Sequence, residues 1–291
     1  MNTGNYISYI IFSILLFCFS SCVERIDINT EASPPRLVIY GYITTDTAQH
    51  AIRITRSSGY FVSTKPEAVP HAKVSISYDD GVIELNESSE EPGLYLTSPG
   101  VYGIAGKTYT LHTSLDFNGD GEKEEYEAAS FLPFPAILDA VAVTTASFSD
   151  EFLQVFISGR IPEESSNNFS FHLFHNGVIL NDSLQGFIIF QDDYIKSKEF
   201  SDMPLLLLSK EREKYQFSSG DTITVQVESL TPEYATFIEN AQQESFGSLP
   251  LFSGPPANVE TNIRCLSSGS TIGISGFFTA YSKNSAYTIY K

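Results

Sequence analysis

Tryptophan is absent from this 291-residue chain, cysteine occurs three times, and basic residues are scarce: 17 Lys and Arg stand against 35 Asp and Glu, a formal net charge of -18. Each shortage excludes something. An acidic surface repels phosphate backbones and anionic headgroups, which argues against nucleic-acid binding and electrostatic docking on acidic lipid. Without Trp there is no indole platform for stacking sugars. The remaining flat rings are plentiful, with 22 Phe and 16 Tyr, and such rings among Thr, Val and Ile favour strands. Long apolar runs are missing as well, with one exception near the start. Residues 7–19, ISYIIFSILLFCF, are uncharged but shorter than the ~20 residues a helix needs to span a bilayer.

That run has the length of a signal-peptide core. Two small residues follow it, Ser20 and Ser21, and then Cys22. A lipoprotein signal peptidase needs small side chains at the cut and a thiol to carry diacylglycerol. Residues 1–21 therefore read as a lipoprotein signal peptide, with Cys22 as the lipid-bearing first residue of the mature chain. Two features depart from the pattern: the first ten residues hold no Lys or Arg, and Phe19 stands where an aliphatic residue is usual. An ordinary secretory signal ahead of a chance cysteine is the alternative. Cys18 falls in the discarded segment, so Cys265 is the one thiol left and no intramolecular disulfide can form. The exported chain must rest on its core, and about 270 residues suffice for that. Cys265 is a buried small hydrophobe or a free thiol, the former being commoner. Residues 22–35 are polar, end in Pro34-Pro35, and read as a tether.

Strand signals begin at Arg36. The segment 36–43 is apolar on both faces, as for a central strand, whereas 50–56 and 72–78 alternate. Asp79-Asp80-Gly81 turns the chain into 82–85, and 93–97, 107–114 and 124–131 follow. Seven short strands at regular spacing predict an immunoglobulin-like sandwich over 36–133. Pro133 and Pro135 mark a boundary. A second β-rich domain over 134–291 carries strand patterns at 152–159, 168–176, 178–181, 186–190, 221–229 and 271–282. One segment has a different period. Thr231-Pro232-Glu233 is a helix start, and Tyr234, Phe237, Ile238 and Ala241 share one helical face near 232–243. A helix covering the sheet is the plain expectation, and a partner-binding helix would expose that face. The fold class is thus mostly β, a sandwich followed by a β-rich domain with one surface helix.

The sharpest local motif is Asp116-Phe-Asn118-Gly-Asp120-Gly121-Glu122, with Glu127 six residues beyond Gly121. It fits the pattern in which alternate oxygens converge on calcium: Glu122 would offer its carbonyl, Glu124 a water, and Glu127 both carboxylate oxygens. Lys123 and the strand-like flanks depart from that pattern, and the same residues suit an acidic hairpin turn. No cofactor is required by any other motif. His172 and His175 lie three apart in a strand pattern, so they point to opposite sides and do not make a metal pair. Neither a His-Glu-x-x-His, a Gly-x-Ser-x-Gly nor a P-loop occurs. The carboxylate pairs Asp79-Asp80, Glu90-Glu91 and Asp192-Asp193 read as solvated turns.

Several longer segments occur in a telling order: residues 37–61, 69–81 and 92–97, then GKTYTLHTS (106–114), LPFPAILDAV (132–141), YATFIENAQQ (234–243), PPANVETNI (255–263) and GISGFFTAYS (273–282). Behind a lipobox cysteine and an acidic tether, this succession resembles the domain-of-unknown-function 4249 family of Bacteroidota lipoproteins over essentially the full mature length. The resemblance implies an outer-membrane location, on either face, and a place beside SusC-like TonB-dependent receptors. It supplies no catalytic residues. The expectation is a non-enzymatic accessory or ligand-capture protein. An adhesion or structural module stiffened by calcium is the rival, and a glycan or peptide hydrolase comes behind both.

Overall fold

The computed structural model describes residues 34–58, 65–79, 81–191, 199–245 and 259–291. The signal peptide, Cys22, most of the tether, Asp80 and the Asp192-Asp193 pair lie outside the described residues.

Alternation in the first half places one residue in two inside. Strand β1 (Leu37–Thr44) turns Leu37, Ile39 and Ile43 inward, and β2 (Ala51–Arg56) turns Ile52 and Ile54 the same way. Strands β3 (Lys73–Tyr78), β4 (Gly81–Glu87), β5 (Leu94–Leu96), β6 (Thr108–Leu115) and β7 (Glu124–Phe131) complete the set. Val74, Ile76, Tyr109, Leu111, Tyr126 and Ala128 meet the isoleucines in one core. Strand β4 makes the corner, pairing along its length with β3 and through its last residues with β5.

The first two cores part at the prolines: Leu132 belongs to the first and Ala136 to the second. Beyond them come β8 (Ile137–Ala146), β9 (Ser149–Arg160), β10 (Asn168–His175), β11 (Val178–Ile179), β12 (Ile188–Gln191), β13 (Glu199–Ser209) and β14 (Thr222–Leu230). A three-stranded sheet in the order β13-β9-β8 supplies Leu138, Leu153, Val155, Ile157 and Leu208 to the second core. Phe169, Phe171 and Leu173 of β10, with Ile223, Val225 and Val227 of β14, close it from the other side.

After the helix α1 (Pro232–Ser245) and β15 (Arg264–Cys265), the chain ends in β16 (Ile274–Ile289), the longest strand. Sequence patterning predicts a strand only to residue 282. The further residues bind elsewhere: Ile274–Tyr281 run parallel to β1, whereas Ser282–Ile289 run antiparallel to β14. One strand therefore belongs to both sandwiches, and Phe278 and Ala280 are buried in the first core. The N-terminal sandwich is completed by the C-terminal strand, not by its own seven strands. A sheet order of β11-β10-β14-β16-β1-β2-β5-β4-β3-β6-β7-β15 results, and Pro35–Lys291 form one compact unit. Where β16 lacks a strand neighbour, side chains take over its backbone. Asn262 and Ser130 bond Phe278 and Ala280, and Thr45 accepts from Lys283 N–H.

The helix starts where its sequence says. The backbone N–H of Tyr234 reaches Thr231 Oγ1 at 3.3 Å, and Ala235 N–H bonds Thr231 O. Tyr234, Ala235 and Ile238 are buried with Leu230, Phe277 and Tyr281 in a third core. This explains why β1 is apolar on both faces: Tyr42 packs against the helix side while Ile39 and Ile43 face the sandwich.

Candidate functional site

Under α1 lies a buried polar cluster that the sequence does not announce. His172 on β10 and Glu228 on β14 are each 5% exposed. Their side chains meet at 3.2 Å, Nε2 to Oε2. Gln226 donates to the other Glu228 oxygen at 3.2 Å. The His172 ring stands edge-on to Phe187, and its Nδ1 and the Ser170 hydroxyl have no partner among the described residues. Tyr40 and Tyr234 share a 2.9 Å hydrogen bond between hydroxyls. Burial pushes the phenols of Tyr40, Tyr234 and Tyr281 above their ordinary range, and the nearby Glu228 charge adds to it. The Tyr40–Tyr234 bond ties the helix to the sheet; His172 and Glu228 are buried beneath it, whereas Tyr40 is 39% exposed at the rim. As strand geometry predicts, His175 points the other way, to Asp221 at 2.8 Å.

Beside the first turn of α1 lie two hollows of about 280 and 350 Å³. Glu233, Asn262 and Phe277 line both. Asn262 is spent on the backbone of β16, the Ser130 hydroxyl accepts from Ala280 N–H, and among the described residues no histidine or cysteine lines either hollow.

The calcium motif is divided by the fold. Asp116 folds its own loop, with Oδ1 accepting from Gly119 and Asp120 and Oδ2 from Gly121. These bonds, led by Gly121 N–H, hold its carboxyl below the ordinary range. Asp120 accepts from Glu122 N–H at 2.9 Å. Glu124 reaches Phe117 N–H, and the Arg56 guanidinium donates to the Phe117 carbonyl while lying over its ring. Asn118 and Glu122 are exposed. Glu127 stands apart on β7, paired with Arg264 of β15 and His112 of β6. Among the described residues no group of three His, Cys, Asp or Glu side chains is disposed to hold a metal ion.

Glu127 takes part instead in an arrangement invisible to spacing. Ser77 Oγ lies 3.0 Å from His112 Nε2, and His112 Nδ1 lies 3.5 Å from Glu127 Oε2. Serine, histidine and carboxylate thus stand in the order of an acyl-transfer relay. Such a relay also needs free N–H donors for the oxyanion. Ser77 is in the body of β3, which is laddered to β4 on one side and β6 on the other. Its surroundings are an open sheet face.

Of the paired carboxylates, Asp79 meets Lys107 at 2.6 Å, and Glu91 meets Arg53 and Lys65. Cys265 is half-buried against the first core, its thiol near the Ser267 carbonyl.

The model of a domain of unknown function, DUF4249, matches residues 23–286. The chain belongs to the DUF4249 family. The match takes in both sandwiches and α1, so the shared strand β16 is part of the family's extent. No curated protein matches. Among solved structures, a DUF4785 family protein from Legionella pneumophila aligns at 10% identity and TM-score 0.26, covering 64% of this chain and 49% of that one. Parabacteroides merdae β-glucuronidase aligns at 11% and 0.22, covering 68% and 24%. The Yersinia pseudotuberculosis adhesin InvE aligns at 11% and 0.20, covering 66% and 54%. The chain spans less than two thirds of each, and scores this low support no functional argument. Among the described residues no helix is long and apolar enough to cross a membrane.

Proposed function

We propose that this DUF4249 protein is a lipid-anchored, non-enzymatic accessory of a TonB-dependent, SusC-like uptake receptor at the outer membrane, acting by receptor docking or ligand capture. The observation that carries the reading is Cys22, set behind two serines and a short uncharged run in a chain whose segments resemble that lipoprotein family throughout. The open hollows beside α1, with no histidine among the described lining residues to activate their hydroxyls, suit capture or docking better than turnover. Gentle detergent extraction of the tagged full chain, with mass spectrometry of what accompanies it, is the test. A receptor in stoichiometric amount is the expected result; a chain that emerges alone sinks the receptor reading. Anchoring is read separately. Cys22→Ser is expected to leave the membrane fraction and to lose the acyl mass, and a variant that stays membrane-bound defeats the anchor.

A further inference from the structure

We infer that the second sandwich carries a slot for a single alkyl chain with an anionic head, a fatty-acid carboxylate, entering between β13 and the strands β11 and β12. On one side the two sheets of this sandwich meet: β8 packs against β16, and Leu138 N–H bonds the Asn284 side chain. On the other side β13 ends one sheet, while β11 and β12 lie at the end of the other. Among the described residues no strand joins them. A hollow of about 300 Å³ opens there, and its floor is the second core itself. Leu173, Leu180, Leu206, Leu208 and Tyr215 line it and pack on that core, and Ile188 of β12 lines it beside them.

The leucine run of β13 makes this floor. A register shift between Pro204 and Leu206 breaks the alternation, so Leu205, Leu206 and Leu208 all pack on the core. The backbone around the hollow is already engaged. Asn181 bridges the gap between β11 and β12, accepting from Leu173 N–H and donating to the Phe171 and Gly186 carbonyls. On β13, Gln154 donates to the Leu206 carbonyl, and Pro204 has no N–H to offer. These arrangements leave little for strand addition. The occupant they suit is a carbon chain, held by apolar contact and not by backbone hydrogen bonds. The volume is at the low end for ligand sites; it suits one chain and excludes the paired chains of a membrane phospholipid.

The mouth selects the head group. Arg212 and Lys214 line it, and no carboxylate does: Asp182, Glu211 and Glu213, their acidic neighbours, lie outside the lining. Among the described arginines, Arg53, Arg56, Arg160 and Arg264 meet carboxylates and Arg36 bonds the Ser275 hydroxyl. Arg212 is exposed, and its guanidinium has no partner among the described residues. Lys214 is fixed at the rim, its Nζ donating to the Leu180 carbonyl at 2.9 Å and lying over the Tyr215 ring. A free guanidinium fork takes a carboxylate through two parallel hydrogen bonds. The molecule carries -18 overall, but charge beyond roughly 8 Å is screened, so the groups at the rim decide. The slot shares no lining residue with the hollows beside α1, and it does not rest on the receptor reading.

Fluorescence of dansylaminoundecanoic acid, titrated with the mature chain carrying Cys22→Ser in detergent-free buffer, tests the slot. Saturable binding is expected, with decanoate displacing the probe at least about ten-fold better than decanol or decyltrimethylammonium. Arg212→Ala, a surface change, should keep the circular dichroism and melting curve of the parent. It should weaken decanoate about ten-fold and leave decanol as it was. Independently, a diazirine-bearing fatty acid should label the peptides spanning 173–188 and 206–215. Absence of saturable binding, equal displacement by the three decyl compounds, decanoate indifferent to Arg212→Ala, or labelling confined to α1 would overturn the inference. Binding to phosphatidylglycerol vesicles that decanoate does not displace would also overturn it and give the mouth to a membrane headgroup. Co-extraction of a receptor should be the same in Arg212→Ala as in the parent, so either reading fails without the other.

Discussion

Asp116 and Asp221 perform the same task in different loops: a carboxylate gathers the N–H groups of a turn that has no ladder partner. Asp221 accepts from Ser218 N–H, Asn176 and His175, which bring its carboxyl from 3.8 to about 2. Glu91, held by Arg53 and Lys65, falls from 4.5 to about 2. Both folded values are depressed, so the stability they lend is present above the unfolded values and is lost as pH falls toward 2. The expected outcome is a melting temperature that declines from about pH 4.5 downward, and a visibly shallower decline in Asp221→Asn; an unchanged acid limb in that variant would refute the assignment. Asp116 bears on the calcium question in the same way. Its oxygens already serve three N–H donors, and Glu127 is occupied elsewhere. Added calcium should therefore leave the melting temperature unmoved, and a rise abolished by Asp116→Ala would make the loop an ion site after all. Among the described residues the Ser77–His112–Glu127 row has no free oxyanion donor, β3 being laddered on both sides, so a fluorophosphonate probe should not label Ser77; stable labelling lost in Ser77→Ala would reopen the hydrolase reading.

At the scale of elements, α1 was the most legible part of the sequence and β16 the least. Thr231, Pro232 and Glu233 announce the helix start locally, because a cap needs only neighbours in sequence. Thr231→Ala is expected to cost about 1 kcal/mol, read as a lower denaturation midpoint. Strands β1 to β7 were legible by the same logic, since alternation is local and their turns carry Gly or Asp. Strand β13 was not: Pro204 followed by four leucines gives neither a clean alternation nor a helical face. The second half of β16 opens on Ser-Lys-Asn-Ser: Ser282 is buried, and β14 with bonds to Thr45 and Leu138 holds the rest. His172 and Glu228 lie 56 residues apart, and Ser77 and His112 lie 35 apart; no spacing rule joins residues that meet through register. Gly276 makes the register of β16 testable. It has φ +96, and a Cβ there would stand 2.0 Å from the Ile39 carbonyl oxygen. Gly276→Ala should cost at least ~3 kcal/mol, by positive-φ strain and by parting β1 from β16, and a parent-like melting curve would contradict the pairing.

For the whole molecule, the shared strand decides how it comes apart. Two sandwiches linked only by the Pro133–Pro135 segment would unfold independently, each with its own midpoint. Here Ile274–Tyr281 complete the first sheet and Ser282–Ile289 complete the second, while α1 packs over the outer side of β1 and β16. Losing either core strips β16 of half its partners, so the free energy of one sandwich depends on the other being folded. Chemical denaturation of the full chain should give one transition, with fluorescence and circular dichroism superposing. Removing residues 283–291 separates the two contributions. It leaves the β1 pairing whole, but takes Ala286 and Tyr290 from the second core and frees the edge of β14. The truncated chain should then show two transitions, the weaker belonging to the half that contains β9 and β14. A single transition shifted as a block would mean that α1 and the cluster beneath it, rather than β16, carry the coupling. Tyr234→Ala in the truncated chain would then be the variant that splits it.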